Sequence, residues 1–236
     1  MTNALVKSDP KLPTNVEDLD ILIDKIRNID DNLRDFQKSL YIASYLEQIH
    51  SLIPAETIKL CRNLMNKGIG FKTDRKDYDD NTLRDCIVQA MIHKFRVHGN
   101  EFNILGGNFY ATKEGLERVV NTYPTLKSEP EIEIRGATQS KESKNWKFVF
   151  SYKLEFKDGT EENGQKTLII SGTTGKNNYE TPYASVEGKA TRKLLNYLYN
   201  KLNRNFALKD TDDLSDSDFE PEKKKSKVSQ LVESKN

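Results

Sequence analysis

The segment EFNILGGNFYAT, residues 101–112, constrains the fold of this chain more than any other stretch. Two short apolar runs flank Gly106 and Gly107, and a two-residue hairpin turn needs the positive φ angles that glycine adopts without strain. The pattern predicts a β-hairpin with one core face, formed by Phe102, Ile104 and Phe109. Tyr110 falls on the other face, where we expect an exposed ring that is available for stacking.

Helix and strand signals continue after the hairpin. Residues 113–122, KEGLERVVNT, predict a short helix that ends before Pro124. In WKFVFSYKLEFKDG, residues 146–159, large apolar residues alternate with polar ones, which is typical of an antiparallel strand with one buried face. Two further strand-like segments, EIEIRGAT and QKTLIISGTT, flank it, so we predict a three-stranded antiparallel meander.

The first third of the chain has a helical period instead. Six apolar residues recur at steps of three, four and seven: Leu19, Ile23, Ile26, Leu33, Phe36 and Leu40. This spacing predicts one long amphipathic helix, whose apolar stripe either covers the sheet of the same chain or contacts another subunit. The whole order predicts an α+β fold of N-terminal helices, β-hairpin, short helix, three-stranded antiparallel meander and basic C-terminal helix.

The Gly188-Lys189 step in SVEGKATRKLLNYLYNK raises the question of a nucleotide-binding loop. A Walker A loop has the pattern G-x-x-x-x-G-K-[ST], because glycine lets backbone N–H groups wrap the phosphates and the hydroxyl binds Mg²⁺. The first position is Tyr183 here and the last is Ala190, and the Gly-Lys step at 175–176 fails at the same two positions. The sequence therefore predicts no nucleotide cofactor.

The same segment predicts a basic amphipathic helix. Its apolar side carries Ala190, Leu194, Leu198 and Leu202. Its other side carries cations and amides: Lys189, Arg192, Lys193, Asn196, Asn200 and Arg204. Such a row presents hydrogen-bond donors to successive phosphates, as nucleic-acid-binding helices do. A merely solvated basic face is the alternative.

Metal-dependent chemistry has one candidate. Glu155 and Lys157, with Glu131 and Glu133 upstream, loosely match the acid and Glu-x-Lys arrangement of metal-dependent nucleases, in which carboxylates hold Mg²⁺. Alternating Glu and Lys on a solvated strand face is commoner. The three histidines lack the spacing of metal ligands and are interpreted as structural, and the two cysteines as free thiols. The sequence predicts no metal cofactor.

Charge is unevenly distributed along the chain. The net charge is +1, but residues 210–222, DTDDLSDSDFEPE, hold seven acids and no base, which leaves +8 for the remainder. Such blocks are typical of disordered tails. This tail either solvates the protein, docks a protein partner or competes with nucleic acid for a basic site. KKKSK, which follows it, is a candidate nuclear localisation signal.

These patterns divide the chain into four regions: a flexible N-terminus (1–15), a helical region for packing or oligomerisation (16–98), an α+β nucleic-acid-binding core (99–209) and a disordered charged tail (210–236). No apolar run reaches the ~20 residues of a membrane helix, and the first residues lack a signal-peptide pattern. We therefore expect no membrane association and a cytoplasmic location, or a nuclear one if KKKSK acts as a signal.

Three segments together resemble phage single-strand annealing proteins of the RecT and Red-beta kind: GNEFNILGGNFYATKEGLERVVNTYP, the strand meander after it, and YASVEGKATRKLLNYLYNKL. The resemblance covers about 83–207 in the order of elements. It implies an ATP-independent protein that forms rings or filaments and holds single-stranded DNA extended for pairing. The residues that it nominates as DNA contacts are Lys189, Arg192, Lys193, Tyr110, Lys113 and Arg118.

The sequence thus favours a single-stranded DNA-binding and strand-annealing protein of homologous recombination or phage replication. We expect a homo-oligomer without catalytic residues. Two alternatives stay open, a Mg²⁺-dependent nuclease that uses Glu155 and Lys157 and a non-catalytic adaptor for nucleic acids or proteins.

Overall fold

The computed structural model describes residues 16–30, 32–174, 179–203 and 206–208. Its helices are α1 (Val16–Arg27), α2 (Asp35–Leu52), α3 (Ala55–Arg62), α4 (Asp80–Ile92), α5 (Lys113–Asn121) and α6 (Tyr183–Leu202). Its strands are β1 (Lys72–Thr73), β2 (Phe102–Leu105), β3 (Asn108–Ala111), β4 (Glu131–Gln139), β5 (Trp146–Glu155), β6 (Glu161–Ile170), β7 (Thr173–Thr174) and β8 (Tyr179–Glu180). The predicted α+β fold is confirmed. The predicted N-terminal segment 1–15 and tail 210–236 lie outside the described residues.

Strands β2 and β3 form the predicted hairpin. Ile104 pairs with Phe109 as expected, and the two turn glycines have φ angles of 56° and 79°. The three predicted core residues of the hairpin are buried. The sequence pattern missed β1, which pairs parallel with β2. There the backbone N–H of Lys72 donates to the side-chain oxygen of Asn103 at 3.0 Å, so the hairpin becomes a three-stranded sheet.

The predicted long N-terminal helix is wrong, because two helices, α1 and α2, take its place. The chain leaves the helical path after Arg27, and the Asp30 carboxylate then accepts hydrogen bonds from the backbone (2.9 Å) and the side chain (3.0 Å) of Asn32. Local side-chain bonding of this kind competes with helical bonding. The break divides the apolar stripe: its α1 part is buried, whereas Phe36 and Leu40 on α2 are 73% and 55% exposed.

Strands β4, β5 and β6 form the predicted antiparallel meander in that spatial order. The alternation in β5 is confirmed, since Phe148, Phe150, Tyr152 and Leu154 are all buried. Gly164 of β6 lies opposite Tyr152 in the ladder, and a Cβ at that position would come within 2.4 Å of the tyrosine ring. The ring can therefore lie across β6 because its neighbour has no side chain.

Helix α6 lies between two layers of the fold. It contacts β5 and β6 of the meander and also α5. Buried side chains consequently occur around most of its circumference: Val186, Ala190, Leu194, Leu195, Asn196, Leu198 and Tyr199. One continuous hydrophobic core extends from α1 to Leu208. The predicted regions 16–98 and 99–209 therefore share a single core.

His93, which follows α4, is half-buried beside this core. Its Nδ1 lies 2.8 Å from the hydroxyl of Tyr199, and its ring stacks on Phe109 with 5.9 Å between centroids. Burial, and then the nearby charge of Arg27, lower the pKa of His93 to about 4. His93 is thus a structural histidine, in line with the interpretation of the sequence.

Acidification should destabilise the protein through His93. The His93 imidazole binds a proton near pH 6.5 in the unfolded chain but only near pH 4 in the folded protein. Its contribution to the free energy of unfolding is therefore complete above pH 6.5 and is lost as the pH falls to 4. At 1.36 kcal/mol per pKa unit, the loss in unfolding free energy is about 3 kcal/mol. In urea unfolding, His93→Gln should lack this dependence. Equal pH dependence in variant and wild type would contradict the assignment.

Candidate nucleic-acid interface

Helix α6 carries three of the predicted DNA contacts on one side. At 100° per residue, Lys189, Arg192 and Lys193 fall within an arc of about 100°. The acidic residue of α6, Glu187, projects from a different side of the helix. All three cations are half-buried, and each takes part in interactions within the protein. The row is therefore not a fully solvated face, because α6 is covered by neighbouring elements.

Tyr110 is not the exposed ring that the hairpin pattern predicts. It is 7% exposed, and the guanidinium carbon of Arg192 lies 4.8 Å from its ring centroid. The prediction is wrong because a residue of α6 covers the second face of the hairpin. Two predicted site residues, Tyr110 and Arg192, are nevertheless in contact. Their cation–π interaction contributes about 0.5–2 kcal/mol and holds Arg192 in place.

Asn196 is also misplaced by the helical pattern, because it is 5% exposed and cannot face a DNA strand. The chain beyond α6 returns to the helix close by. There the side chain of Asn200 exchanges two hydrogen bonds with the backbone of Leu208, at 2.7 and 2.9 Å. Of the two asparagines in the predicted row, Asn196 is therefore buried and Asn200 makes hydrogen bonds within the fold. Arg204 lies outside the described residues.

Arg118 has a partner within the fold. Its Nε and Nη2 donate to the two carboxylate oxygens of Glu101 at 2.5 and 2.6 Å, and Nη2 also donates to the carbonyl of Lys94 at 2.5 Å. Glu101 is 6% exposed, and losing one member of such a pair leaves a buried charge without compensation. The geometry therefore gives Arg118 a structural role. Lys113 is exposed at the first residue of α5.

A second group of cations and rings, which the sequence pattern did not reveal, lies between α6 and the meander. Lys166 Nζ lies 4.4 Å from the ring centroid of Tyr197, and Lys201 Nζ lies 5.6 Å from that of Tyr152. Lys201 also pairs with Glu162. Hydrogen bonding to that glutamate raises the pKa of Lys201, which stays charged. The four-residue spacing of Tyr197 and Lys201, which makes them neighbours on a helix, was the sequence feature that could have predicted this group.

Gly188 stands within α6, one turn before Arg192. A glycine in a helix interior costs about 1 kcal/mol relative to alanine. Packing does not explain it, since a Cβ at this position would meet no atom within 4 Å. A glycine with open space above it leaves the helix backbone accessible to close approach by another molecule.

Glu155, the candidate Mg²⁺ ligand, is in contact with lysines. Lys153 Nζ lies 2.6 Å from one carboxylate oxygen, and Lys127 Nζ lies 3.7 Å from the other. The hydrogen bond from Lys153 lowers the pKa of Glu155. Lys157 is exposed in the turn after β5. Among residues 16–30, 32–174, 179–203 and 206–208, no group of three or more His, Cys, Asp or Glu side chains is placed to hold a metal ion.

Comparisons with protein-family models, with curated proteins and with solved structures find no match for this chain. In the part of the chain that the structure describes, none of the helices has the length and apolar composition needed to cross a membrane.

Gly188→Ala should raise the free energy of unfolding by about 0.5–1 kcal/mol, because alanine loses less backbone entropy and its methyl group meets no neighbour. Urea unfolding of the purified variant measures this. Gly164→Ala is the matched control, and it should destabilise the protein because its methyl group collides with Tyr152. A destabilised Gly188→Ala protein would show that the space above this glycine is not open.

Proposed function

We propose that this protein binds single-stranded DNA and promotes the pairing of complementary strands without ATP. The observation that carries the proposal is the cationic row of α6, formed by Lys189, Arg192 and Lys193, on a helix packed against an antiparallel sheet and a hairpin. The resemblance to phage single-strand annealing proteins supports it, because it nominates the same three residues as phosphate contacts.

The cationic row suits a polyanion. Its three cations lie on one side of a single helix, and each phosphate that such a row neutralises releases condensed counterions. Arg192 is already oriented by the ring of Tyr110, so binding costs this side chain little conformational entropy.

Gly188 supplies the room that a strand needs. It lies one turn from Arg192, and the space above it is open. A sugar–phosphate backbone that follows the cationic row can therefore approach the α6 backbone closely at this point. A bulky side chain would block that approach without changing the charge of the helix.

Annealing itself requires no catalytic residue. Complementary strands repel each other, and neutralisation of their phosphates lets them approach. A strand held along a positively charged groove keeps its bases available, and base pairing then supplies the free energy. The proposal therefore includes neither a nucleotide nor a metal cofactor.

We further propose that α2 joins the subunits of a homo-oligomer. In this fully described helix, Ile49 is the one residue that is buried, although apolar residues recur on several of its sides. Phe36, Leu40 and Tyr41 are 73%, 55% and 50% exposed. A helix with apolar residues on several sides is normally covered by another element. A second copy of the chain is the occupant that the rings or filaments implied by the resemblance would supply.

Labelled complementary strands, mixed with the purified protein without ATP, test the proposed function. Annealing predicts faster duplex formation both with and without Mg²⁺, with the strands intact. Cleavage that requires Mg²⁺ and disappears in Glu155→Gln would identify a nuclease instead. Binding of single strands without faster pairing would identify an adaptor. No binding at low salt would overturn the annealing and nuclease functions together.

Replacing the cationic row by glutamine should weaken single-strand binding and flatten its salt dependence. At about 0.7 per phosphate for single strands, the slope of log affinity against log salt should fall by about 2. Gly188→Leu should weaken binding without changing the slope, because the leucine side chain occupies the open space and leaves the charge of the helix unchanged. The control replaces three exposed lysines outside α6 with glutamine: Lys59, Lys67 and Lys76. An unchanged slope in the first variant, with normal thermal unfolding, would refute the assignment.

The variant Phe36→Glu/Leu40→Glu should be monomeric in light scattering, whereas the wild type should have a multiple of the 27.1 kDa chain mass. Both positions are exposed, so circular dichroism should show an intact fold. Leu60→Glu/Ile69→Glu is the matched control, since these residues are 59% and 71% exposed outside α2. A monomeric wild type, or an oligomer that survives the first variant, would contradict the α2 interface.

A further inference from the structure

We infer that the aromatic side chains around the start of α6 form a stacking platform for unpaired nucleobases, formed by Trp146, Tyr179 and Tyr183. The inference rests on the proposed function. It adds a contact that holds a base, whereas the cationic row holds phosphates. It also gives the protein a means of distinguishing single strands, whose base faces are accessible, from duplexes, whose bases are already stacked.

Tyr183 is the centre of the stacking platform. It is the first residue of α6 and is 42% exposed. Its ring makes an edge contact with Trp146, with 5.0 Å between centroids and 64° between planes, and lies 6.1 Å from Phe148. Phe148 itself is fully buried in the sheet. One part of the Tyr183 ring is thus fixed by the core while another part is open to a ligand.

Tyr179 extends the stacking platform along the chain. It lies on β8, four residues before Tyr183, and is 66% exposed. Four residues span at most about 14 Å, so the two rings lie within reach of one short strand of nucleic acid. The path between them is fixed, because the N–H of Thr181 donates to the carbonyl of Gly172 at 2.8 Å and Glu180 pairs with Lys144 at 3.3 Å.

Close backbone contacts support the stacking platform. A Cβ on Gly172 would come within 1.9 Å of the Lys144 carbonyl oxygen and 3.1 Å of the Trp146 ring. The turn between β4 and β5 therefore touches the chain between β6 and β7, directly beneath the tryptophan. A ring held in this way loses little conformational freedom when a base stacks on it.

The charges around the stacking platform favour nucleic acid over a protein partner. Lys141 and Lys147 are exposed in the β4–β5 turn and at the start of β5, whereas Lys144 is paired with Glu180. Protein interfaces are depleted in lysine, whereas surfaces for single strands combine exposed aromatic rings with cations. Lys189 follows Tyr183 by six residues, which is about 9 Å along the axis of α6 and about 120° around it, so a strand that reaches both contacts crosses the helix.

Paired oligonucleotides test the inference, one with ordinary bases and one of equal length in which every base is absent. Both have the same phosphates, so binding through phosphates alone gives equal affinities. We expect the full-length protein to bind the base-containing strand about 5- to 100-fold more tightly. Tyr183→Leu should bring this ratio close to 1, and Tyr183→Phe should preserve it. Trp146 is the single tryptophan, so its fluorescence should change with the base-containing strand only.

Equal affinity of the wild type for both strands would overturn the stacking platform and leave the proposed function intact, whereas no affinity for either strand would overturn the proposed function itself. If Tyr183→Leu unfolds at a lower temperature, Tyr179→Leu replaces it, because the greater exposure of Tyr179 makes its removal less costly to packing. A ratio that is unchanged in a well-folded leucine variant would also overturn the inference.

Discussion

The burial of α6 between the meander and the rest of the core is the interaction on which the structure depends. Leu194 and Leu198 are completely buried, and Tyr199 joins α6 to His93 at the end of α4. Both layers of the fold therefore close on one helix. The cationic row stands on that same helix, so changes that loosen its packing alter stability and the proposed interface together. This coupling is why each binding variant needs an unfolding measurement beside it.

Partial burial gives the proposed interface a defined geometry. Arg192 lies against the ring of Tyr110, and Lys166 and Lys201 lie over tyrosines at the other margin of α6. A lysine or arginine held on a ring has already lost much of the freedom that binding would otherwise remove. The tyrosines next to these cations orient them. Bases would instead contact the rings of the inferred stacking platform at the start of the helix.

Local pairing could be predicted from the sequence, because few residues determine it. Gly106 and Gly107 fix the hairpin register, and the alternation in β5 identifies its buried face. The second covered face of the hairpin could not be predicted, since a period of two shows which residues share a face but not what packs there. Tyr110 was misplaced for this reason, and Asn196 was misplaced because a helical period likewise does not show what packs against a side of the helix.

The site residues divide in a similar way. The spacing of Lys189, Arg192 and Lys193 places them on one side of α6, and their role as DNA contacts stays a prediction. The role of Arg118 could not be predicted, because a charge in a sequence does not show whether it will face a phosphate or a carboxylate seventeen residues away. The break after α1 was indicated by the Asn and Asp residues of the segment, whose turn-forming tendency the apolar period concealed.

The position of α6 in the chain also affects how the protein folds as it is synthesised. Every strand of the meander is made before residues 183–202, yet the meander packs against this helix. Phe148, Phe150 and Leu154 therefore lack the cover of α6 until residue 202 has emerged from the ribosome. Exposed apolar strands in a growing chain are prone to aggregate. The nascent chain thus has an interval in which these side chains are exposed to contacts with other chains.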